Sequence, residues 1–394
     1  MATTLASGYI TLLKTTLGSG ILSFPYLFKT YGILTGIILT MASGIFSVLG
    51  LVLYTICSQS LGRQATLSKL ATENMPYVTV LVDFCVFLKC FGVALSYLVI
   101  TVHLLPSLML SAFGSSVLSD PSISLLIFIL CVGPFSYFSK LDKLKYTSFC
   151  GVIAILIVIM ATAYRYRYSS FIIHKKIDYF VPVSYTWLDS LGKFVFAFTC
   201  HQNIFTVQSE MDDNSPSTMK KLIYMVASTA ALLYISFGIL NYLLYREAIK
   251  DNILQNYPDD LLAFVVRCLY VLAMGVSYPL QVNPCRSHLM NIVSLNSKVD
   301  QNDSFMEFIA TTAIILSTYL LAISGMGLGT IYSIIGATAS TFICLIFPTM
   351  LYFRMDIDRS KWLTFLSYAG FVFGMLVFLT SMLSIFFSSS PLPL

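Results

Sequence analysis

Charge is scarce in this chain. Asp, Glu, Lys and Arg supply 10% of its 394 residues, where a soluble domain carries about 25%. Too few charged groups are present to clothe a water-facing surface, and 57% of the residues are hydrophobic. A soluble globule is therefore excluded. Strict alternation of apolar and polar residues is also missing, which excludes a membrane β-barrel. The surplus of basic residues, +5 overall, is scattered between apolar runs. No basic domain gathers it, so nucleic acid is not an expected partner. The nine cysteines lack metal-ligand spacing, and most lie in apolar runs, where a free thiol acts as a small hydrophobe. No metal, cofactor or disulfide framework is expected. A cleavable signal peptide is not expected either: the N-terminus lacks a positive n-region, and the first apolar run outlasts an h-region.

What remains is an all-α polytopic membrane protein. At about twenty apolar residues per crossing, the chain holds about eleven transmembrane helices. They run roughly over Ala6–Phe28, Ile33–Cys57, Val78–Leu110, Ile123–Phe138, Tyr146–Tyr164, Leu188–Gln208, Lys221–Leu244, Leu261–Cys285, Phe305–Ile323, Ile331–Phe353 and Leu363–Phe387. The third exceeds the length a crossing needs, so it is either tilted or ended by Pro106. With the N-terminus in the cytosol, the inner loops hold twelve Lys and Arg residues and the outer loops seven. The excess of basic residues on the inner side favours this orientation, although the basic loop after the fifth span opposes it. The Tyr-Arg-Tyr-Arg-Tyr run from Tyr164 to Tyr168 reads as an interfacial belt with snorkelling arginines. Asn302-Asp303-Ser304 fits a glycosylation acceptor, but on this topology it faces the cytosol and reads as a chance match. The tail Ser388–Leu394 is expected to be disordered.

Two spans are interrupted by polar residues. The first contains Lys14-Thr15-Thr16-Leu17-Gly18-Ser19-Gly20, followed by Phe24-Pro25-Tyr26. The sixth contains Phe198-Thr199-Cys200-His201-Gln202-Asn203. Glycine eases departure from helical geometry. Unwound backbone at membrane depth is tolerated only where protein buries it or a cavity borders it. Breaks at corresponding places in two halves of a chain point to a transporter's ligand site. Spans three and eight each carry an internal cation as well, Lys89 and Arg267. These pairings suit two inverted repeats.

Half-helix N-termini attract anions, and freed carbonyls suit an ammonium. A zwitterion matches both, so a free amino acid is the natural ligand. Thr15, Thr16, Gly18, Ser19 and Gly20 would cradle it from one side, and Thr199, Cys200, His201 and Asn203 from the other. Lys14 lies one turn before Gly18. It either carries a coupling proton or replaces a bound cation, or it snorkels to the membrane edge. His201 is either a proton relay or a neutral, hydrogen-bonded residue that fixes the break. The eighth span closes with Ser277-Tyr278-Pro279 and Asn283-Pro284-Cys285-Arg286. Its two prolines are expected to kink it and free carbonyls. Ser277 is a candidate cation or substrate contact, and Arg286 is expected to anchor the cytosolic end.

Together, Lys14–Tyr26, Cys90-Phe91-Gly92-Val93-Ala94-Leu95-Ser96-Tyr97-Leu98, Phe196–Asn203 and Pro279–Arg286 resemble the amino acid/auxin permease family over nearly the whole chain. The nearest branch is that of the fungal vacuolar amino-acid transporters, with the sodium-coupled neutral amino-acid transporters more distant. The resemblance implies a LeuT-like fold of five-plus-five inverted repeats with broken helices 1 and 6. The repeats would cover roughly 6–168 and 188–355 of a single domain, 1–394, with an extra helix at 363–387. It also implies that Lys14 stands where the sodium-coupled branch has an asparagine that helps bind sodium, with Ser277 matching a threonine there. Val102-His103 departs from the family's Gly-Asp. Family members carry a long cytosolic N-terminal tail, whereas here the first span begins almost at once.

The expectation is a monomeric secondary amino-acid transporter in the lipid bilayer, working by alternating access. Sodium-independent transport is expected, either proton-linked or uniport, in a vacuolar, lysosome-like or plasma membrane. A membrane amino-acid sensor and a sodium-coupled symporter are the alternatives. An intramembrane enzyme would need a nucleophile–base or paired-acid arrangement, and none is recognisable.

Overall fold

A computed structural model describes residues 4–114, 117–138, 144–168, 177–296 and 304–388. Asn302-Asp303, the loop lysines Lys140, Lys143, Lys175, Lys176 and Lys298, and the tail beyond 388 lie outside the described residues.

The elements of the described residues are helices joined by turns and short extended links. The first segment is split into α1 (Leu5–Leu17) and α2 (Phe24–Tyr31). Then come α3 (Ile33–Cys57), the short α4 (Leu67–Asn74), α5 (Thr79–Phe113), α6 (Pro121–Val132) and α7 (Leu144–Tyr168). The sixth segment is split into α8 (Tyr185–Ala197) and α9 (His201–Glu210). It is followed by α10 (Pro216–Tyr245), α11 (Leu261–Asn296) and α12 (Ser304–Ile323). A continuous stretch joins α13 (Leu328–Ile335) through two π-turns to α14 (Phe347–Arg354), and α15 (Lys361–Ser388) closes the fold.

Among the described residues, eight helical segments are long and apolar enough to cross a membrane. The other three expected spans are the two broken ones and the shorter Pro121–Tyr137. Several boundaries differ from the sequence reading. Pro106 does not end the third span, because α5 spans 35 residues and runs past it to Phe113. At 1.5 Å per residue it is about 52 Å long, more than a bilayer core of about 30 Å. The eighth span does not stop at Cys285, since α11 carries Pro279 and Pro284 inside a helix reaching Asn296. A proline costs its own helix one bond and leaves the flanking turns to continue.

The chain forms two compact units, and each draws on both halves of the sequence. The first comprises residues through Cys85, Lys176–Ile239 and Tyr332 onward. It therefore holds both broken segments, α3, α4, most of α10 and α15. Its core joins Val195, Cys344, Leu345 and Val377, with Phe46, Leu191 and Phe373 packed against them. Two glycines let α8 cross the stretch after α13 backbone to backbone. A Cβ on Gly336 would lie 2.0 Å from the Gly192 carbonyl oxygen, and one on Gly192 would lie 2.6 Å from the Ala337 nitrogen.

The second unit comprises Val86–Lys175 and Leu240–Ile331. In it α11 packs against α6, α7 and α12. Tyr278 and Thr318 share a buried hydrogen bond of 2.8 Å. Arg286 is buried, and its Nη1 donates to the Ser136 carbonyl and the Thr311 hydroxyl, each at 3.2 Å. Arg165 lies in the last turn of α7. Its guanidinium forms a two-bond pair with Asp260, at 2.6 and 2.9 Å, and lies over the Tyr257 ring. The Asp260 carboxylate at the start of α11 supplies a partner that a local reading of Tyr164–Tyr168 could not see. Arg267 likewise pairs with Asp259 at 2.6 Å.

Candidate functional site: the paired helix breaks

Both interruptions are real gaps in helical geometry, and both lie in the first unit. After Leu17 the chain turns at Gly18, whose φ of 31° is accessible to glycine at little cost. The Gly18 N–H closes the helix on the Lys14 carbonyl at 2.9 Å. Ser19 leads into one tight 3-10 turn, Gly20–Ser23, and α2 then starts with Pro25 in its first turn, where a missing N–H costs nothing. In the sixth segment α8 ends at Ala197. Phe198, Thr199 and Cys200 separate it from His201, the first residue of α9.

The two gaps touch. A Cβ added to Gly20 would sit 3.2 Å from the Ala197 Cα, so this glycine is fixed by close packing as well as by backbone freedom. The Asn203 amide nitrogen donates to the Thr15 hydroxyl at 2.9 Å, and that hydroxyl donates to the Thr11 carbonyl. The Tyr234 hydroxyl, from α10, lies 2.6 Å from the Thr16 carbonyl and 2.8 Å from the Ala197 carbonyl. One phenol thus serves the last turns of both half-helices.

Other freed carbonyls are also occupied. The Ser19 carbonyl accepts from Tyr332 at 2.9 Å, the Phe198 carbonyl from Ser47 at 3.0 Å, and the Gly20 carbonyl from Ser23 at 2.8 Å. These carbonyls therefore already have protein donors, with the single Tyr234 proton shared between Thr16 and Ala197. Each keeps one further lone pair.

His201 is completely buried. Its Nε2 lies 3.1 Å from the Ser47 carbonyl and its Nδ1 3.1 Å from the Cys344 sulfur. A carbonyl only accepts, which assigns the proton to Nε2 and leaves Nδ1 to accept from the Cys344 thiol. That sulfur is also 3.1 Å from the Thr199 hydroxyl, which donates to the Val195 carbonyl. Both ring nitrogens are thus engaged by protein. Gly50 makes the arrangement possible: a Cβ there would lie 2.0 Å from the Cys344 carbonyl oxygen and 2.9 Å from His201 Nε2.

The structure brings together Thr15, Thr16, Gly20, Thr199, His201 and Asn203, with Gly18, Ser19 and Cys200 in the gaps themselves. Thr16 returns its hydroxyl proton to the Leu12 carbonyl at 2.8 Å. Lys14 is half-buried one turn before Gly18. Ser277 belongs to the second unit, where its hydroxyl donates to the Ala273 carbonyl at 2.6 Å. Sequence reasoning missed Tyr234, Tyr332, Ser47, Gly50 and Cys344. Lone hydroxyls inside apolar runs were the available signal, but nothing in a linear pattern marks which of them reach the gaps.

The sequence profile described as "transmembrane amino acid transporter protein" matches residues 1–390. The chain belongs to this family. It is therefore a multi-pass membrane transporter of amino acids and not an enzyme. Among its curated relatives, vacuolar amino acid transporter 5 of Saccharomyces cerevisiae is 28% identical over 98% of this chain and 99% of its own length. Vacuolar amino acid transporter 5 of Schizosaccharomyces pombe is 33% identical over 88% of this chain and 83% of its own. Sodium-coupled neutral amino acid transporter 7 of Mus musculus is more distant, 25% identical over 91% of this chain and 83% of its own length.

Proposed function

We propose that this member of the family is an amino-acid carrier that works by alternating access, with its cargo bound at the paired breaks. The observation that carries the reading is the joining of two mid-segment gaps by Asn203–Thr15 and by Tyr234. A chain that only needed to cross the bilayer would gain nothing from opening two helices and then spending buried tyrosines to hold their ends. Eleven spans in a LeuT-like five-plus-five arrangement fit the eight uninterrupted segments, the two broken ones and Pro121–Tyr137. The units support a rocking movement: both broken spans fall in one, and most of spans three, four, eight and nine in the other.

Thr15, Thr16, Gly18, Ser19 and Gly20 line one wall of the substrate site, and Thr199, Cys200 and Asn203 the other. His201 acts as the neutral pin of the second wall. Lys14 takes the place of a cation beside the first break, so transport is proton-linked or uniport and does not use sodium. The relatives' vacuolar names support an acidic-organelle membrane, with the N-terminus cytosolic.

The test is counterflow of a labelled amino-acid panel in proteoliposomes of purified protein, with sodium and pH gradients varied separately. Saturable exchange of at least one amino acid, unaffected by sodium, is expected. Saturable binding without exchange would instead make the protein a sensor.

A further inference from the structure

Three arginines are buried among the described residues, Arg246, Arg267 and Arg286, and all three belong to the second unit. Two of them have acceptors. Arg267 pairs with Asp259 and donates to the Tyr257 and Leu254 carbonyls, and Arg286 donates through Nη1 to Ser136 and Thr311. Arg246, the residue after α10, is 6% exposed, and its Nε and Nη1 are buried without a hydrogen-bond partner. Those two atoms carry three N–H groups. The guanidinium lies 5.4 Å from the centre of the Tyr242 ring, a contact that leaves its N–H groups unmet.

The carboxylates of the same loop do not supply the missing acceptor. Between α10 and α11 these are Glu247, Asp251, Asp259 and Asp260. Asp251 accepts from the Gly329 N–H at 3.2 Å, Asp259 pairs with Arg267, and Asp260 pairs with Arg165. Glu247 is exposed and forms no ion pair with Arg246. A second donor of the loop, the Asn252 Nδ2, is likewise buried without an acceptor. The loop is closed on itself by Asn256, which accepts from the Lys250 N–H at 3.0 Å and donates to the Ala248 carbonyl at 2.7 Å. Arg246 is also the one non-glycine residue with a positive φ among the described residues, at 49°, where an L side chain is strained. A snorkelling arginine would leave its head in water. This one combines backbone strain with a buried, unmatched charge, and folding alone gains from neither.

A buried guanidinium is tolerated when an anion completes its hydrogen bonds. We propose that Arg246 is the binding residue of a small monovalent anion at the α10–α11 loop, either free as chloride or carried as the carboxylate of an organic acid.

Thermal melting of the purified full chain provides the test, with chloride or acetate exchanged for the bulkier isethionate at constant ionic strength. The wild-type midpoint should rise saturably, by about 3 °C or more. A rise with chloride marks a free halide as the ligand, and a rise with acetate but not chloride marks a carboxylate; either supports the site. Arg246→Gln keeps the stem, removes the charge and should lose the rise. Arg246→Lys keeps the charge without the fork of donors and should need about tenfold more anion for the same rise, which decides the matter if the glutamine variant does not fold. A midpoint flat in both anions, an equal rise in Arg246→Gln, or an unshifted response in Arg246→Lys overturns the inference.

Discussion

The Asn203 amide reaches the Thr15 hydroxyl at 2.9 Å, so a single side-chain bond links the two walls of the gap. A neutral bond of this kind contributes about 1 kcal/mol to stability, little for a chain of this size. Its larger effect is positional, because it sets the spacing between α1 and α9 at the proposed cargo site. Asn203→Ala should therefore leave the protein folded, with a thermal midpoint within a few degrees of wild type, and reduce amino-acid counterflow by about tenfold or more. Equal loss of folded protein and of exchange would show that the bond is only structural. His201 and Asn203 stood out in the sequence because such residues are expensive inside an apolar span. Their partners did not, because Thr15, Ser47 and Cys344 lie more than 140 positions away in the chain and look like ordinary small polar residues.

At the scale of elements, both breaks were legible from composition, since Gly18-Ser19-Gly20 and Thr199-Cys200-His201 have no place in a lipid-facing helix. The helix ends of α5 and α11 were not, because a proline inside a long span ends the helix or only dents it according to neighbours the pattern does not contain. The π-turns after α13 were equally hidden. They reflect the crossing of α8 at Gly192 and Gly336, a tertiary demand. Gly336→Ala would press a methyl group into the Gly192 carbonyl, 2.0 Å away. We expect a loss of about 3 kcal/mol or more, above the usual range for overpacking because the obstacle is backbone. A lowered thermal midpoint of the detergent-solubilised variant would show it, and a midpoint equal to wild type would contradict the crossing.

A second element-scale prediction concerns pH. Hydrogen bonding from Arg165 holds the Asp260 carboxyl below the usual carboxylate range. A depressed folded-state value means stabilisation that is present above the ordinary value of about 3.9 and lost only as pH falls through the folded one. The clamp between α7 and α11 should thus survive at the pH of an acidic organelle. Asp260→Asn should lower the thermal midpoint equally at pH 7 and pH 5, and the difference from wild type should close below about pH 4. A difference already gone at pH 5 would refute this assignment.

For the whole molecule, the sign of the buried charge bears on coupling. Within the first unit, Lys14 and the buried Lys193 each lie one turn from a break. A sodium ion needs several oxygen ligands to replace its water. Tyr332, Ser23 and Ser47 donate to the carbonyls at Ser19, Gly20 and Phe198, and one Tyr234 proton is shared between those at Thr16 and Ala197, so each offers at most its remaining lone pair. Lys14, one turn from Gly18, places a basic group beside the first break. Transport by the wild-type protein should accordingly stay flat between zero and 100 mM sodium at fixed pH and membrane potential. Lys14→Ala should abolish exchange, or abolish only its response to pH, while the protein still elutes as a folded species. The two results separate the roles of this ammonium: loss of exchange at every pH marks a charge the cycle needs to close around, and loss of pH response alone marks a group that carries the proton. A steep rise of wild-type transport with sodium, or wild-type rates from Lys14→Ala across pH, would show that the charge beside the first break takes no part in coupling.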